Sequence, residues 1–265
     1  MNRRRALGVL GLAALVLSSG CMGLFGASPI ADEKLDAEPP QSYEWTADAD
    51  AHITLTEKAR FLAVYDLNRT SVELFRRDGL GGRNAIPVSA VRYRYPNGTV
   101  ITGSELEARG GAVTRSREKV TVELPTDGPE NETGKLAFTS ESTPKRFSLP
   151  TFVKGSYEVV LPPNRRVEAF LFGKVSPPGH EVTRPDGQTH IRWENVTADA
   201  VSVRYYLQRD LLIFGAIAAV LFVVGLGGAF YYKRAIEALR ERREEMGLDV
   251  DTEDDDFGRN PPPGM

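Results

Sequence analysis

"LLIFGAIAAVLFVVGLGGAFYY", residues 211–232, is 22 residues without a charge. As a helix it measures roughly 33 Å at 1.5 Å per residue, enough to cross a hydrocarbon core. The alternative, a core helix of a soluble protein, fits poorly with so long and uniformly apolar a run. Arg209 and Asp210 border one end, and Tyr231, Tyr232, Lys233 and Arg234 the other. An aromatic and basic belt of this kind marks a membrane interface. Arg240, Arg242 and Arg243 follow closely. By the positive-inside rule the carboxyl end is cytoplasmic, and residues 22–209 lie outside. The transmembrane segment is set at 210–232, and 233–265 at the cytoplasmic side, as a basic helix and a tail. Within the span, Gly215 with Ala219 and Gly225 with Ala229 have the small-x-x-x-small spacing that lets two membrane helices approach closely, so self-association through them is one candidate contact.

The segment ahead of the span reads as β-sheet. From Trp45 onward, "HITLTE", "FLAVYDL", "SVELFR", "VSAVRYRY", "KVTVELP", "KLAFTSE", "YEVVLPP", "VEAFLFG", "THIRWENV" and "VSVRYYL" alternate apolar and polar residues. They are rich in Val, Tyr, Phe and Thr and are separated by Gly, Pro, Asn and Asp. This spacing predicts a mainly β fold: an antiparallel, β-sandwich-like extracytoplasmic region followed by one C-terminal transmembrane helix. "RPDGQ", residues 184–188, is the best turn, joining "HEVT" to "THIRW". "PTDGPENETG" (125–134) and "LPTFVKGS" (149–156) are candidate seams. They suggest a unit over 45–150 and a membrane-proximal unit over 151–209, unless the two share one core. Four N-x-Ser/Thr sequons, at Asn68, Asn97, Asn131 and Asn195, all fall in this outer segment, which suits glycosylation outside the cell.

Ahead of the sheet the chain begins "MNRRRALGVLGLAALVLSSGC". A basic start, an apolar stretch from Ala6 to Leu17 and small residues before Cys21 give the layout of an export signal over residues 1–20. Ser19, Gly20 and Cys21 resemble a lipobox, making Cys21 the candidate first residue of the mature chain and its lipid anchor. The alternative is an inert cysteine in an uncleaved helix. Residues 21–44 carry most of their charge as acid and contain Pro39-Pro40, the composition of a flexible tether. Residues 249–256, with six acids and no base, begin a similar tail.

The formal net charge of −3 gives no ground for a nucleic-acid partner. Arginine outnumbers lysine 25 to 8. A single cysteine excludes an intramolecular disulfide. His52, His180 and His190 lie on separate elements without metal-ligand spacing, so no metal and no cofactor is expected. His180 and His190 flank the 184–188 turn and are a candidate pH-sensitive pair. No G-x-S-x-G elbow is present, and no catalytic residue is assigned. "RRDGLGGRN", residues 76–84, lacks the Lys-Ser/Thr of a phosphate loop and reads as a hairpin loop. Two strands show basic faces: Arg92 and Arg94 in one, Arg115, Arg117 and Lys119 in the other. Side by side they would make a strip for an anionic partner, unless they form a solvated face balanced by acids.

The twin-arginine-like Arg3-Arg4-Arg5, the lipobox-like Cys21, the sequon-bearing β region, the single C-terminal span and the acidic tail together resemble an uncharacterised family of haloarchaeal-type membrane-anchored lipoproteins. The resemblance implies location and brings no catalytic residues. The expectation is a non-catalytic surface lipoprotein, an accessory or scaffold subunit of an envelope complex, held by membrane lipid and a protein partner. The alternatives are a ligand-binding or sensory ectodomain, and an envelope hydrolase with a convergent site that the linear sequence does not show.

Overall fold

A computed structural model describes residues 26–127 and 134–247. In chain order it begins with β1 (Ser28–Pro29), α1 (Asp32–Leu35), β2 (Ala51–Leu55), β3 (Arg60–Leu67), β4 (Ser71–Arg77), β5 (Arg83–Ala85) and β6 (Ser89–Arg94). There follow β7 (Val100–Thr102), α2 (Glu105–Ala108), β8 (Ala112–Arg115), β9 (Val120–Glu123), β10 (Gly134–Glu141), β11 (Arg146–Pro150) and β12 (Gly155–Val160). The last elements are β13 (Arg165–Arg166), β14 (Lys174–Ser176), β15 (Glu181–Thr183), β16 (His190–Val196), β17 (Ala200–Arg204), β18 (Tyr206–Leu207) and α3 (Gln208–Glu245).

An eight-stranded sheet runs β15-β16-β12-β2-β3-β10-β6-β7, antiparallel except where β12 meets β2. A five-stranded sheet, β1-β8-β9-β4-β5, and a three-stranded sheet, β11-β17-β14, complete the barrier around one core. Period two explains the layering. In β3, Phe61, Ala63 and Tyr65 enter that core while Leu62 and Val64 face the other way. Phe61 meets Phe147 of the three-stranded sheet at 5.3 Å between ring centres, and Tyr65 meets Phe152 at 5.8 Å. Val72 and Leu74 of β4 and Val120 and Val122 of β9 enter the same core from the five-stranded sheet. Burying each such side chain stabilises the fold by about 1.5–3 kcal/mol. The expected mainly antiparallel sandwich is therefore present. The 184–188 turn joins β15 to β16 as expected, with Asp186 and Gly187 at φ 54° and 77°.

Residues 149–156 are where the chain leaves the three-stranded sheet and enters the eight-stranded one. Phe152 and Val153 are buried on the way, so strands on both sides of residue 150 serve one core. The turn into β12 needs glycine: Gly155 has φ 129°, and an added Cβ would sit 2.2 Å from Oδ2 of Asp50. That same carboxylate oxygen accepts from the amide and hydroxyl of Ser156 at 2.7 and 2.8 Å.

Two expectations need correction. "VEAFLFG" is not a strand: only Arg165–Arg166 pair, with β18, and residues 167–173 form a turn. Its alternation misleads because Phe170 and Leu171 both face solvent. The tether over 21–44 is, from Ser28 on, laid against the domain. Ser28–Pro29 pairs with β8, Leu35 is 3% exposed in the main core, and Tyr43 packs with Leu62, Val64 and Ala137 on the opposite face of the large sheet. Tyr43 donates its hydroxyl to Ala90 O at 2.6 Å, where a bulge holds Ala90 at φ 51°. A few well-placed apolar side chains outweigh the acidic composition around them.

From Arg209 on, α3 belongs to a unit separate from the β domain. Its 38 residues measure about 57 Å. The basic helix expected over 233–246 is its continuation as far as Glu245.

Candidate functional site

The basic residues singled out above do not form one strip. Arg92 and Arg94 belong to the eight-stranded sheet, Arg115 to the five-stranded one. Arg117 and Lys119 lie in the turn joining β8 to β9, where Ser116 N donates to Lys119 O at 2.9 Å. The alternation assumed over residues 115–124 thus runs across a hairpin. Arg92 is spent internally: its guanidinium donates to the carbonyls of Leu35, Val91, Asp36 and Ala37 at 3.2, 2.7, 2.9 and 3.1 Å. Beside it Asp36 accepts from the amide and hydroxyl of Ser104 at 3.0 and 2.6 Å. Arg94 lies over the Trp45 ring at 6.0 Å, and Lys119 pairs with Glu73.

Asn68 and Asn97 are exposed in turns, and Asn195 is exposed on β16. Thr99 N donates to the Asn97 side-chain oxygen at 2.9 Å. Asn131 and Cys21 lie outside the described residues. Gly215 and Gly225 have open space where a side chain would stand, and Ala219 and Ala229 are exposed on the same helix. "RRDGLGGRN" closes the hairpin from β4 to β5, its Asp78 accepting from Leu80 N and Gly82 N at 3.0 and 2.7 Å.

The histidines fall differently from the expected pair. Register places His52 of β2 opposite Glu158 of β12, and His190 diagonally across on β16. Nδ1 of His52 lies 3.0 Å from Oε2 of Glu158, and Nδ1 of His190 lies 2.9 Å from Oε1. Nε2 of His52 is 3.1 Å from Oγ1 of Thr54. The hydrogen bond from His52, with that from His190, holds the Glu158 carboxyl down at about 2 against the cost of its partial burial. His180 instead lies beside Trp193, with ring centres 5.7 Å apart and planes tilted by 52°. No linear motif announces this cluster, because its members are 106 and 32 residues apart. Among the described residues no group of three His, Cys, Asp or Glu side chains is arranged to hold a metal ion.

Among the described residues the sandwich surface includes clefts of two kinds. One, of about 450 Å³, is lined by Asp50, Asp66, Asn68, Arg69, Thr151 and Lys154 among others. The other, of about 310 Å³, is lined by Arg146, Lys174, Ser176, Ser202, Val203 and Arg204. Neither contains a histidine.

α3 is the feature with the plainest physical meaning. Its most apolar 18-residue window has a mean hydropathy of 2.6, and none of that window is buried. A helix of this length and composition is apolar enough to cross a bilayer. Sandwich and helix together define a β-domain protein with a candidate membrane anchor at its carboxyl side. Residues 47–251 match DUF5803, described as a family of unknown function, and the chain belongs to that family. No curated protein matches it.

Proposed function

We propose that this protein is a non-catalytic membrane-anchored surface protein, an accessory or scaffold subunit of an envelope complex, with its β domain outside the cell and its carboxyl end in the cytoplasm. The observation that carries the anchoring is the unburied apolar window of α3. The cationic flank at Lys233, Arg234, Arg240, Arg242 and Arg243 supports the orientation. The exposed sequons at Asn68, Asn97 and Asn195 fit the same side, and the reading carries with it a lipid at Cys21.

The test is protease added to intact cells carrying an epitope at the carboxyl end. Cleavage between β9 and β10 with survival of a shortened, tagged fragment is expected. Loss of the tag, or an uncut chain in intact cells that is cut in broken ones, overturns the orientation. Crosslinking in the same cells then reads the subunit role: a discrete partner band supports it, and a chain that stays monomeric at every crosslinker length argues against it.

A further inference from the structure

The outward face of the three-stranded sheet carries an unusual charge pattern. Arg146 of β11 stands opposite Arg204 of β17, and Arg204 stands opposite Lys174 of β14. One row along, Ser148, Ser202 and Ser176 align in the same way. Phe147 and Val203 between these rows, and Leu149 and Val201 beyond the serines, point inward to the core. Three cations in line across three strands repel one another. Among the described residues none of the three makes an ion pair, and together with two of the serines they line the 310 Å³ cleft. The fold tolerates this row without internal compensation, which points to an external anion.

Immediately ahead of Lys174 is the turn over residues 167–173, at whose tip Phe170 is 84% and Leu171 60% exposed. The turn is built rather than loose. Phe172 N and Gly173 N both donate to Ala169 O, at 2.9 and 2.6 Å, and Glu168 pairs with Arg184. A Cβ on Gly173 would stand 1.9 Å from Val167 O. Ala169 N donates to the Tyr206 hydroxyl at 3.3 Å, and the Phe172 and Tyr206 rings lie 5.9 Å apart. Tyr206 stands two residues before the first residue of α3. From Tyr206 to Leu211, where the apolar run begins, extended chain covers no more than about 18 Å.

We propose that this end of the sandwich docks on the bilayer that anchors it: Phe170 and Leu171 enter the interface, and Arg146, Arg204 and Lys174 contact anionic phospholipid headgroups. The proposal rests on reading α3 as a span. An apolar pair beside a cationic row is the pattern of interfacial binding, and the serine hydroxyls are donors for phosphate oxygens. Because the span makes the encounter intramolecular, individually weak contacts suffice. A free phosphate would use the cations and hydroxyls but leave the Phe170–Leu171 tip without a role.

The experiment uses the full chain in nanodiscs of phosphatidylcholine alone and of phosphatidylcholine mixed with phosphatidylglycerol, with amide hydrogen exchange as the readout. Exchange over residues 168–174 and 202–204 should slow by about tenfold or more in the mixed discs. The triple variant Arg146→Gln, Arg204→Gln, Lys174→Gln should lose that dependence on lipid. The double variant Phe170→Ser, Leu171→Ser should lose slowing at 168–174. Unchanged exchange in β3 and β10 shows that both variants are folded. Equal exchange in the two kinds of disc overturns the proposal. So does inorganic phosphate reproducing the slowing in pure phosphatidylcholine discs, which would assign the site to a soluble anion. A chain that fails to co-elute with discs overturns the span itself, a result distinct from a disc-bound chain with an unprotected turn.

Discussion

Replacing Arg92 by alanine should release the segment ahead of β2 without unfolding the sandwich. Four carbonyls share this guanidinium, three of them from residues 35–37. A hydrogen bond to a charged donor contributes about 1.5–3 kcal/mol. The four are not additive, since they have one donor and the freed carbonyls are partly within reach of water. A loss of about 2–3 kcal/mol in the opening free energy of the segment is therefore expected, which speeds exchange by roughly 30- to 150-fold. The amides to follow are Lys34, Leu35 and Asp36, which donate to Ala31 O and Asp32 O at 2.8–3.2 Å. Leu136 and Phe138 in β10 should keep their protection, because their bonds do not depend on the clamp. Arg92→Lys should restore only part of it, since an ammonium lacks the planar fork that reaches several carbonyls. Exchange at residues 34–36 within about twofold of the parent in Arg92→Ala would refute the reasoning and hand the hold to Leu35 and Tyr43 alone.

Among the described residues the buried Tyr65 hydroxyl has no hydrogen-bond partner, and burial pushes its ionisation well above the ordinary range. Tyr65→Phe should leave stability unchanged or raise it by about 1 kcal/mol in urea unfolding, and a clear loss would reveal a partner. Glu158 is held at about 2 in the fold against an ordinary 4.5. Its contribution is complete above the ordinary value and is lost as pH falls through this window. After allowance for solvent screening it amounts to about 1–2 kcal/mol. Glu158→Gln should flatten the acid limb of the stability profile; an unchanged limb would exclude this carboxylate as its source. Gly155→Ala should cost about 1–3 kcal/mol, because the new methyl meets the Asp50 carboxylate in a left-handed backbone. A neutral result by thermal unfolding would show that Asp50 swings aside at no cost.

The strands were legible where one face is buried and the other wet. "SVELFR" and "THIRWENV" read as strands and are strands, and the latter pairs with "HEVT" across the 184–188 turn as expected. "FLAVYDL" was equally visible, although its even residues are buried as well, under Tyr43 and Trp45. What composition hid was that cover. Leu35 and Tyr43 are scattered among acids and prolines, and no periodicity distinguishes a strap that crosses a sheet from a solvated spacer. "VEAFLFG" failed for the converse reason, since its apolar residues alternate but two of them face outward. The sites were least legible. Arg146, Arg204 and Lys174 come together only through strand register, as do His52, Glu158 and His190. Register is a property of pairing, and single-strand patterns do not encode which strands will be neighbours.

The strap from Ser28 to Tyr43 changes the length of the leash at the amino side. As a free spacer, the 24 residue steps from Cys21 to Trp45 could pay out about 80 Å of chain. With Ser28 paired to Arg115, only seven steps remain between Cys21 and the sheet edge, about 25 Å at full stretch. Were Cys21 to carry the proposed lipid, the edge strand at Ser28 would stand within about 25 Å of chain from it, roughly a third of the reach that an unpaired spacer would leave.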